Sequence, residues 1–162
     1  MLNVIKKYSN FGGGAQNPNR LVIHAMAEII DTEDRDYPAD QWLEHLGLSA
    51  HFLIQPNGDI LKLRHTKTMA WHAKGYNSHS VGIEYLVPGL HTYETFLEAI
   101  KTPWVSPAQW DAGLELSQGI VDYFGITQDR VNRHSDLSPG RKVDPGAGFA
   151  WEPFVQALFP QR

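Results

Sequence analysis

The segment Ser49-Ala-His-Phe-Leu-Ile-Gln-Pro-Asn-Gly-Asp-Ile-Leu-Lys-Leu-Arg64 decides the fold class, because it has the pattern of a β-hairpin. Two runs rich in apolar residues flank the tripeptide Pro56-Asn-Gly58. An Asn-Gly pair between two such runs strongly favours a tight turn between antiparallel strands. The segment therefore predicts two strands of a central sheet.

Three further runs on either side of the hairpin predict additional strands. Residues 20–25 contain consecutive Leu21, Val22 and Ile23, which is typical of a short buried strand. Residues 80–87 and 130–134 predict two more strands. The acidic stretch 31–40 between the first of these and the hairpin predicts a solvated loop.

Helix signals lie between and after the strands. Residues 38–48 predict a helix with Pro38 in its first turn. The clearest helix begins after Ser106, which is an N-cap residue followed by Pro107 and by Gln109 at the capping-box position, and it ends at Gly125. Residues 150–159 predict a last helix, and residues 88–105 predict a connection with some helix.

These elements predict an α/β fold with one domain over residues 1–162, in which helices flank a mixed central β-sheet. The chain length suits one hydrophobic core. Residues 1–19 contain Phe11-Gly-Gly-Gly-Ala and Pro18, so they predict an irregular N-terminal segment. No repeat or low-complexity tract suggests a second domain.

Charge and composition exclude several classes of function. The net charge is −4 and no block of Lys and Arg is present, which argues against nucleic acid as a partner. The chain has no cysteine, so neither a disulfide framework nor a thiolate nucleophile is available.

The hydrophobic pattern also sets expectations about location. The N-terminal apolar run ends at Ile5, too short for a signal-peptide core, and no window suggests a membrane span. We expect no signal peptide, no membrane insertion, a monomer and a cytoplasmic location by default. Release to the envelope or the exterior stays open, as for a lysin or an exported toxin.

The segment His134-Ser-Asp-Leu-Ser-Pro-Gly-Arg-Lys-Val-Asp-Pro-Gly146 concentrates groups that bind metals or carry charge. A loop this rich in Pro and Gly can fold back so that His134 and Asp144 meet one ion. His24 follows a buried strand, and two histidines with one carboxylate suit zinc while leaving a position for water. From these residues alone, a hydrogen-bonded structural histidine and an aspartate in a turn remain alternatives.

Glu84 lies in the predicted strand Val81-Gly-Ile-Glu-Tyr85. A buried carboxylate is costly without a partner or a function, although simple alternation could also place Glu84 on a solvated face. The neighbouring Gly82 suggests that another group approaches the backbone closely.

Six motifs in order resemble the N-acetylmuramoyl-L-alanine amidases of the type 2 amidase and peptidoglycan-recognition superfamily, closest to the anhydro-muropeptide amidase branch. They are the Leu-Val-Ile-His24 run, Ser49-Ala-His51, the Gln-Pro-Asn-Gly-Asp59 hairpin, Ala70-Trp-His-Ala73, the Asn77 to Glu84 segment and the His134 to Gly146 segment. The resemblance implies one zinc ion per chain, held by His24, His134 and Asp144 in a cleft at one end of the sheet.

The resemblance also implies a reaction and the residues that perform it. Zinc-activated water would hydrolyse the amide between the lactyl group of muramic acid and L-alanine, with Glu84 and Lys142 as catalytic residues. Trp71, His72 and Asn77 would shape the substrate pocket, although Trp71 may equally belong to the core. Ala50 stands where some relatives carry a tyrosine, which leaves Glu84 as the base.

A non-catalytic module that binds peptidoglycan is the alternative function. Such modules have typically lost a zinc ligand, whereas all the implied ligands are present here. The sequence leaves open whether the substrate is the intact wall or soluble muropeptides. It also leaves open whether the role is recycling, lysis or toxicity, and which stem peptide or inhibitor protein is involved.

Overall fold

The computed structural model describes residues 1–31, 33 and 35–161. Within that part of the chain the backbone forms seven strands and five helices. The strands are β1 (Val4–Lys6), β2 (Arg20–Ile30), β3 (Asp36–Tyr37), β4 (Phe52–Ile54), β5 (Ile60–Lys62), β6 (Ser80–His91) and β7 (Val131–Arg133). The helices are α1 (Ala39–His45), α2 (Tyr93–Ala99), α3 (Pro107–Phe124), α4 (His134–Leu137) and α5 (Trp151–Leu158).

The strands form one mixed sheet with the order β1-β5-β4-β6-β2-β3, and β7 also pairs with β2. The central strand β2 is parallel to β6 and β7 and antiparallel to β3. The predicted hairpin is present as the antiparallel pair β4 and β5. The predicted α/β class with a mixed sheet flanked by helices is therefore confirmed.

Alternation along β2 gives the sheet two different faces. Leu21 and Ile23 belong to the larger core, which is covered by α3 and α5. Met26 points to the opposite face and packs in a second cluster with Leu43 of α1. His24 alternates with Ile23, so its side chain lies on this second face, away from the larger core.

Helix α3 begins and ends as its sequence predicts, with one difference. The hydroxyl of Ser106 accepts the backbone N–H of Gln109 at 3.0 Å, and Gly125 ends the helix with φ 64°. The Gln109 side chain, however, does not complete a capping box. It is buried and donates to the carbonyl oxygens of Ile54 and Leu86, both at 2.9 Å, because it lies over the sheet and joins β4 to β6.

Three local predictions need correction. Residues 1–19 are not wholly irregular, because Val4–Lys6 adds an edge strand parallel to β5. Strand β2 does not end at Ala25 but continues to Ile30, and beyond a register shift its residues Glu28 and Ile29 pair with the extended end of β6. Within the expected loop 31–40, Asp36–Tyr37 forms a short strand on the end of β2.

Among the described residues, no helix is both long and apolar enough to cross a membrane.

Candidate active site

Strand register brings His24 and Glu84 together. His24 on β2 pairs directly with Glu84 on the parallel neighbour β6. Residues in register on adjacent parallel strands project from the same face of the sheet, so both side chains leave the face that carries α1. Both are buried, with His24 only 2% exposed and Glu84 6% exposed.

The other two groups of the site, His134 and Asp144, come from the segment after β7. Arg133, the last residue of β7, pairs with Ile23, so His134 follows at the level of His24. Helix α4 turns the chain away, and the segment returns because the N–H of Ser135 donates to the carbonyl oxygen of Asp144 at 3.0 Å. This contact holds Asp144 beside His134. The segment was expected to contain no helix, yet its first four residues form one turn.

Three ligand-type atoms converge on one point. The Nδ1 atoms of His24 and His134 lie 3.0 Å apart. The Asp144 carboxylate lies 3.3 Å from Nδ1 of His24 and 3.1 Å from Nδ1 of His134. All three donor atoms fall within 4.8 Å of one another. Two imidazole nitrogens and one carboxylate oxygen that converge in this way can all direct lone pairs at one bound cation, so the arrangement fits a metal site.

The protonation states of these groups suit metal binding. Burial lowers the pKa of His24 to about 4, although Asp144 opposes this change. Burial alone would raise the pKa of Asp144, but the neighbouring imidazole groups of His134 and His24 hold it well below its usual range. At neutral pH the site therefore offers a neutral imidazole on His24 and an ionised carboxylate, the forms that bind metals.

Glu84 stands beside this set without belonging to it. Its Oε1 lies 3.9 Å from Nδ1 of His24, and its Oε2 has no hydrogen-bond partner among the described residues. Burial raises the pKa of Glu84 well above its usual value, and nearby Asp144 raises it further, while Lys142 opposes both effects. A carboxyl group with a raised pKa can take up and release a proton near neutral pH.

His72 contacts the Nε2 side of the His24 ring. Its Nδ1 is 2.9 Å from Nε2 of His24, and its Nε2 is 3.1 Å from the hydroxyl of Ser80. The Ser80 hydroxyl in turn donates to the carbonyl oxygen of Tyr76 at 2.7 Å. The ring packs on Gly82, where an added Cβ would lie 2.5 Å from its nearest atom. This contact explains why residue 82, two positions before Glu84, is a glycine.

The site opens into a cleft with a cavity volume of about 230 Å³. Trp71, Asn77 and Lys142 line it. Trp71 is 39% exposed, so it lies on the cleft wall and not in the core. The side-chain oxygen of Asn77 accepts the backbone N–H groups of residues 72 and 73 at 2.9 and 2.8 Å, and thereby shapes the loop that carries Trp71.

The two walls of the cleft differ in polarity. Between α1 and α2 the wall is apolar and partly aromatic, with Trp42 and Tyr93 among its side chains. Three cationic side chains also line the cleft, namely Lys74, Arg141 and Lys142, and the last two lie in the segment that carries Asp144. A ligand with an uncharged part and an anionic part would therefore bind in one preferred direction.

All eight predicted site residues line this cleft. They are His24, Trp71, His72, Asn77, Glu84, His134, Lys142 and Asp144. Sequence reasoning missed Lys74, Arg141 and the Ser80 contact to His72. Arg141 could have been noticed as the neighbour of Lys142, whereas no local signal indicates that Ser80 lies under His72.

Comparison with known proteins agrees with these observations. A family model described as N-acetylmuramoyl-L-alanine amidase matches residues 14–147. The 1,6-anhydro-N-acetylmuramyl-L-alanine amidase of Enterobacter cloacae is 30% identical over 165 residues, which cover 88% of this chain and 82% of that protein.

Two solved structures have the same fold. The N-acetylmuramoyl-L-alanine amidase LysC from Clostridium intestinale superposes with a TM-score of 0.72 at 23% identity, covering 97% of each chain. The Pseudomonas aeruginosa protein AmpDh3 was solved in complex with anhydromuramic pentapeptide. It superposes with a TM-score of 0.70 at 25% identity, covering 88% of this chain and 60% of that one.

Proposed function

The chain belongs to the N-acetylmuramoyl-L-alanine amidase family, in the anhydro-muropeptide amidase branch, and we propose that it is a zinc-dependent hydrolase of muropeptides. The bond cleaved is the amide between the lactyl group of muramic acid and L-alanine. The observation that carries the proposal is the convergence of His24, His134 and Asp144 beside the buried carboxyl of Glu84.

The metal set fits one zinc ion per chain. Two neutral imidazoles and one carboxylate are a common catalytic zinc set, and three protein ligands leave a position for water or substrate. Such an ion would supply a Lewis acid that lowers the pKa of water and polarises the scissile carbonyl group. The complete ligand set favours an enzyme over a module that binds peptidoglycan without cleaving it.

Glu84 is proposed as the general base and acid. Its Oε2 is free of hydrogen bonds from the described residues, so it can accept the proton of the attacking water. The raised pKa lets the carboxyl hold this proton until the amine of L-alanine departs. The proton then passes to that amine, and Glu84 returns to its ionised form.

Lys142 is proposed to stabilise the negative charge that develops on the carbonyl oxygen. Two observations support this role: Lys142 lines the cleft, and its charge lowers the pKa of Glu84, so it is close to the proposed base. A fixed cation at this position stabilises the transition state more than the neutral amide of the ground state.

The polarity of the cleft suggests how a muropeptide binds. The stem peptide carries carboxylates, so it is proposed to lie along the wall of Lys74, Arg141 and Lys142. The sugar is proposed to lie on the apolar wall, where Tyr93 is 60% exposed and offers an aromatic face. Trp71 and Asn77 are proposed to border the substrate between these walls.

A product assay tests the proposal. Zinc-loaded protein is incubated with soluble monomeric muropeptides that have an intact stem, and in parallel with purified sacculi, and the products are identified by mass spectrometry. We expect free stem peptides from the soluble fragments. Binding without release would support the non-catalytic module. Release from sacculi alone would point to a lytic enzyme.

A further inference from the structure

We propose that His72 is a positioning residue, which through hydrogen bonds holds His24 in the tautomer whose Nδ1 lone pair faces His134 and Asp144. The inference rests on the proposed metal site and adds a residue that supports one of its ligands. The sequence predicted that His72 shapes the substrate pocket, whereas this inference assigns it to the support of a metal ligand.

Hydrogen bonds connect His24 through His72 and Ser80 to the backbone of Tyr76. The final group can only accept, and this fixes the direction of each bond. The carbonyl oxygen of Tyr76 can only accept, so the hydroxyl of Ser80 must use its single hydrogen to donate there at 2.7 Å. That hydroxyl then has only lone pairs for its other neighbour. Nε2 of His72, 3.1 Å away, must therefore carry the hydrogen in that contact.

The same reasoning continues to His24. A buried imidazolium without a carboxylate partner is costly, so His72 is neutral and its Nδ1 carries a lone pair. Nε2 of His24, 2.9 Å from that lone pair, must then donate its hydrogen. A neutral His24 with hydrogen on Nε2 has its lone pair on Nδ1, the atom that faces His134 and Asp144.

The position of the His72 ring is itself enforced by the sheet. Gly82 leaves the space that the ring occupies, since an added Cβ would approach three ring atoms within 2.8 Å. The backbone N–H of Gly82 donates to Nδ1 of the buried His51 at 3.0 Å, which anchors this part of β6. The ring thus has little freedom to turn away from His24.

Two observations argue against a contact between His72 and substrate. The residue is only 7% exposed, and both of its ring nitrogens already have partners. His134, the other proposed imidazole ligand, differs from His24 in the partners of its Nε2 among the described residues. Nε2 of His134 is buried there and has no hydrogen-bond partner. The protein therefore orients the two imidazoles by different means.

Two variants of His72 separate positioning from simple space filling. His72→Phe keeps a ring but removes the acceptor, whereas His72→Asn can place its side-chain oxygen near the former Nδ1. We expect His72→Phe to weaken zinc binding by about 10–100-fold in chelator competition. We expect His72→Asn to recover most of this loss. His91→Phe is the control, since it replaces another histidine of β6 whose hydrogen bonds go to Thr95 and Pro88 and not to His24 or His72.

Nuclear magnetic resonance gives a second readout that does not depend on activity. In zinc-loaded wild-type protein labelled with ¹⁵N, we expect hydrogen on Nε2 of His24. We also expect a scalar coupling across the hydrogen bond between that nitrogen and Nδ1 of His72. The coupling should vanish in His72→Phe. If His72→Phe does not fold, Ser80→Ala replaces it, and we expect weaker zinc binding because His72 then loses the partner that sets its tautomer.

The possible results are distinct. Hydrogen on Nδ1 of His72 in the wild type, or a zinc affinity of His72→Phe no lower than that of His91→Phe, would overturn the inference. If the wild type bound no zinc, the proposed function would fail, and the coupling between His24 and His72 in that protein would still decide the hydrogen-bond direction.

Discussion

Replacement of the Glu84 carboxyl by an amide tests the proposed mechanism most directly. Gln is nearly the same size as Glu, and Oε2 of Glu84 makes no hydrogen bond to the described residues, so Glu84→Gln breaks no contact at that atom. What it removes is the ability to take up a proton. General base catalysis contributes about 10²–10⁴-fold, so we expect turnover to fall by that factor, equivalent to about 3–5 kcal/mol in the barrier.

In the metal-free protein, the same variant should lose less stability than the wild type as the pH rises to neutrality. Burial raises the pKa of Glu84 well above its usual value, so the unfolded chain ionises first as the pH rises. Between the unfolded and folded pKa values the wild type loses about 1.4 kcal/mol of stability for each pH unit. Gln does not ionise and avoids this loss.

The assay measures single-turnover release of stem peptide, with zinc content determined on the same sample. Glu98→Gln is the control, because that glutamate is exposed on α2, pairs with Lys101 and is not among the residues that line the cleft. A fully metallated Glu84→Gln protein with a rate near that of the wild type would refute the assignment of Glu84 as the base. Turnover lost together with zinc would instead indicate that Glu84 supports the metal site.

Further predictions concern the metal, the two walls of the cleft and acid stability. Asp144→Ala should sharply reduce the zinc content of purified protein by elemental analysis, and full occupancy would exclude Asp144 as a required ligand. Lys142→Met should lower turnover more than substrate affinity, because its charge matters most once the oxyanion develops; weaker binding with unchanged single-turnover chemistry would make it an anchor instead. Arg141→Gln should raise KM several-fold, and the difference should shrink at high salt, whereas Lys6→Gln on β1 should leave KM unchanged; equal effects of both would argue against a specific cationic wall. The wild type should lose about 3 kcal/mol more unfolding free energy than His51→Gln between pH 6.5 and 4, because burial keeps His51 neutral in the fold by lowering its pKa to about 4, while the unfolded chain takes up a proton; denaturation curves of the two proteins that change equally in this window would contradict that assignment.

Local signals in the sequence were sufficient for much of the fold. The Asn57-Gly58 turn predicted the β4–β5 hairpin, which is present. Ser106 and Gly125 predicted both ends of α3. Such signals succeed because turns and caps depend on residues within a few positions of one another. The residues of the candidate site were likewise identified from motifs in order along the chain, and the structure brings them into one cleft.

Other features depend on contacts between distant parts of the chain and had no local signal. Gln109 has the right spacing for a capping box, yet it crosses to the sheet because two strand carbonyls 55 and 23 positions away accept its hydrogens. Strand β1 exists only because β5 offers an unpaired edge. Propensity within a short window contains no information about either partner.

By itself, the sequence determined most of the elements and which side chains are candidates for the chemistry, because spacing and residue type are local properties. Only the tertiary structure decided how these groups face one another. The register of β2 with β6 put Glu84 next to His24, and the pairing of β7 with β2 put His134 on its other side. His72 was recognised as a pocket residue, but its place beneath His24 follows from the packing of its ring on Gly82, a contact that depends on the whole sheet.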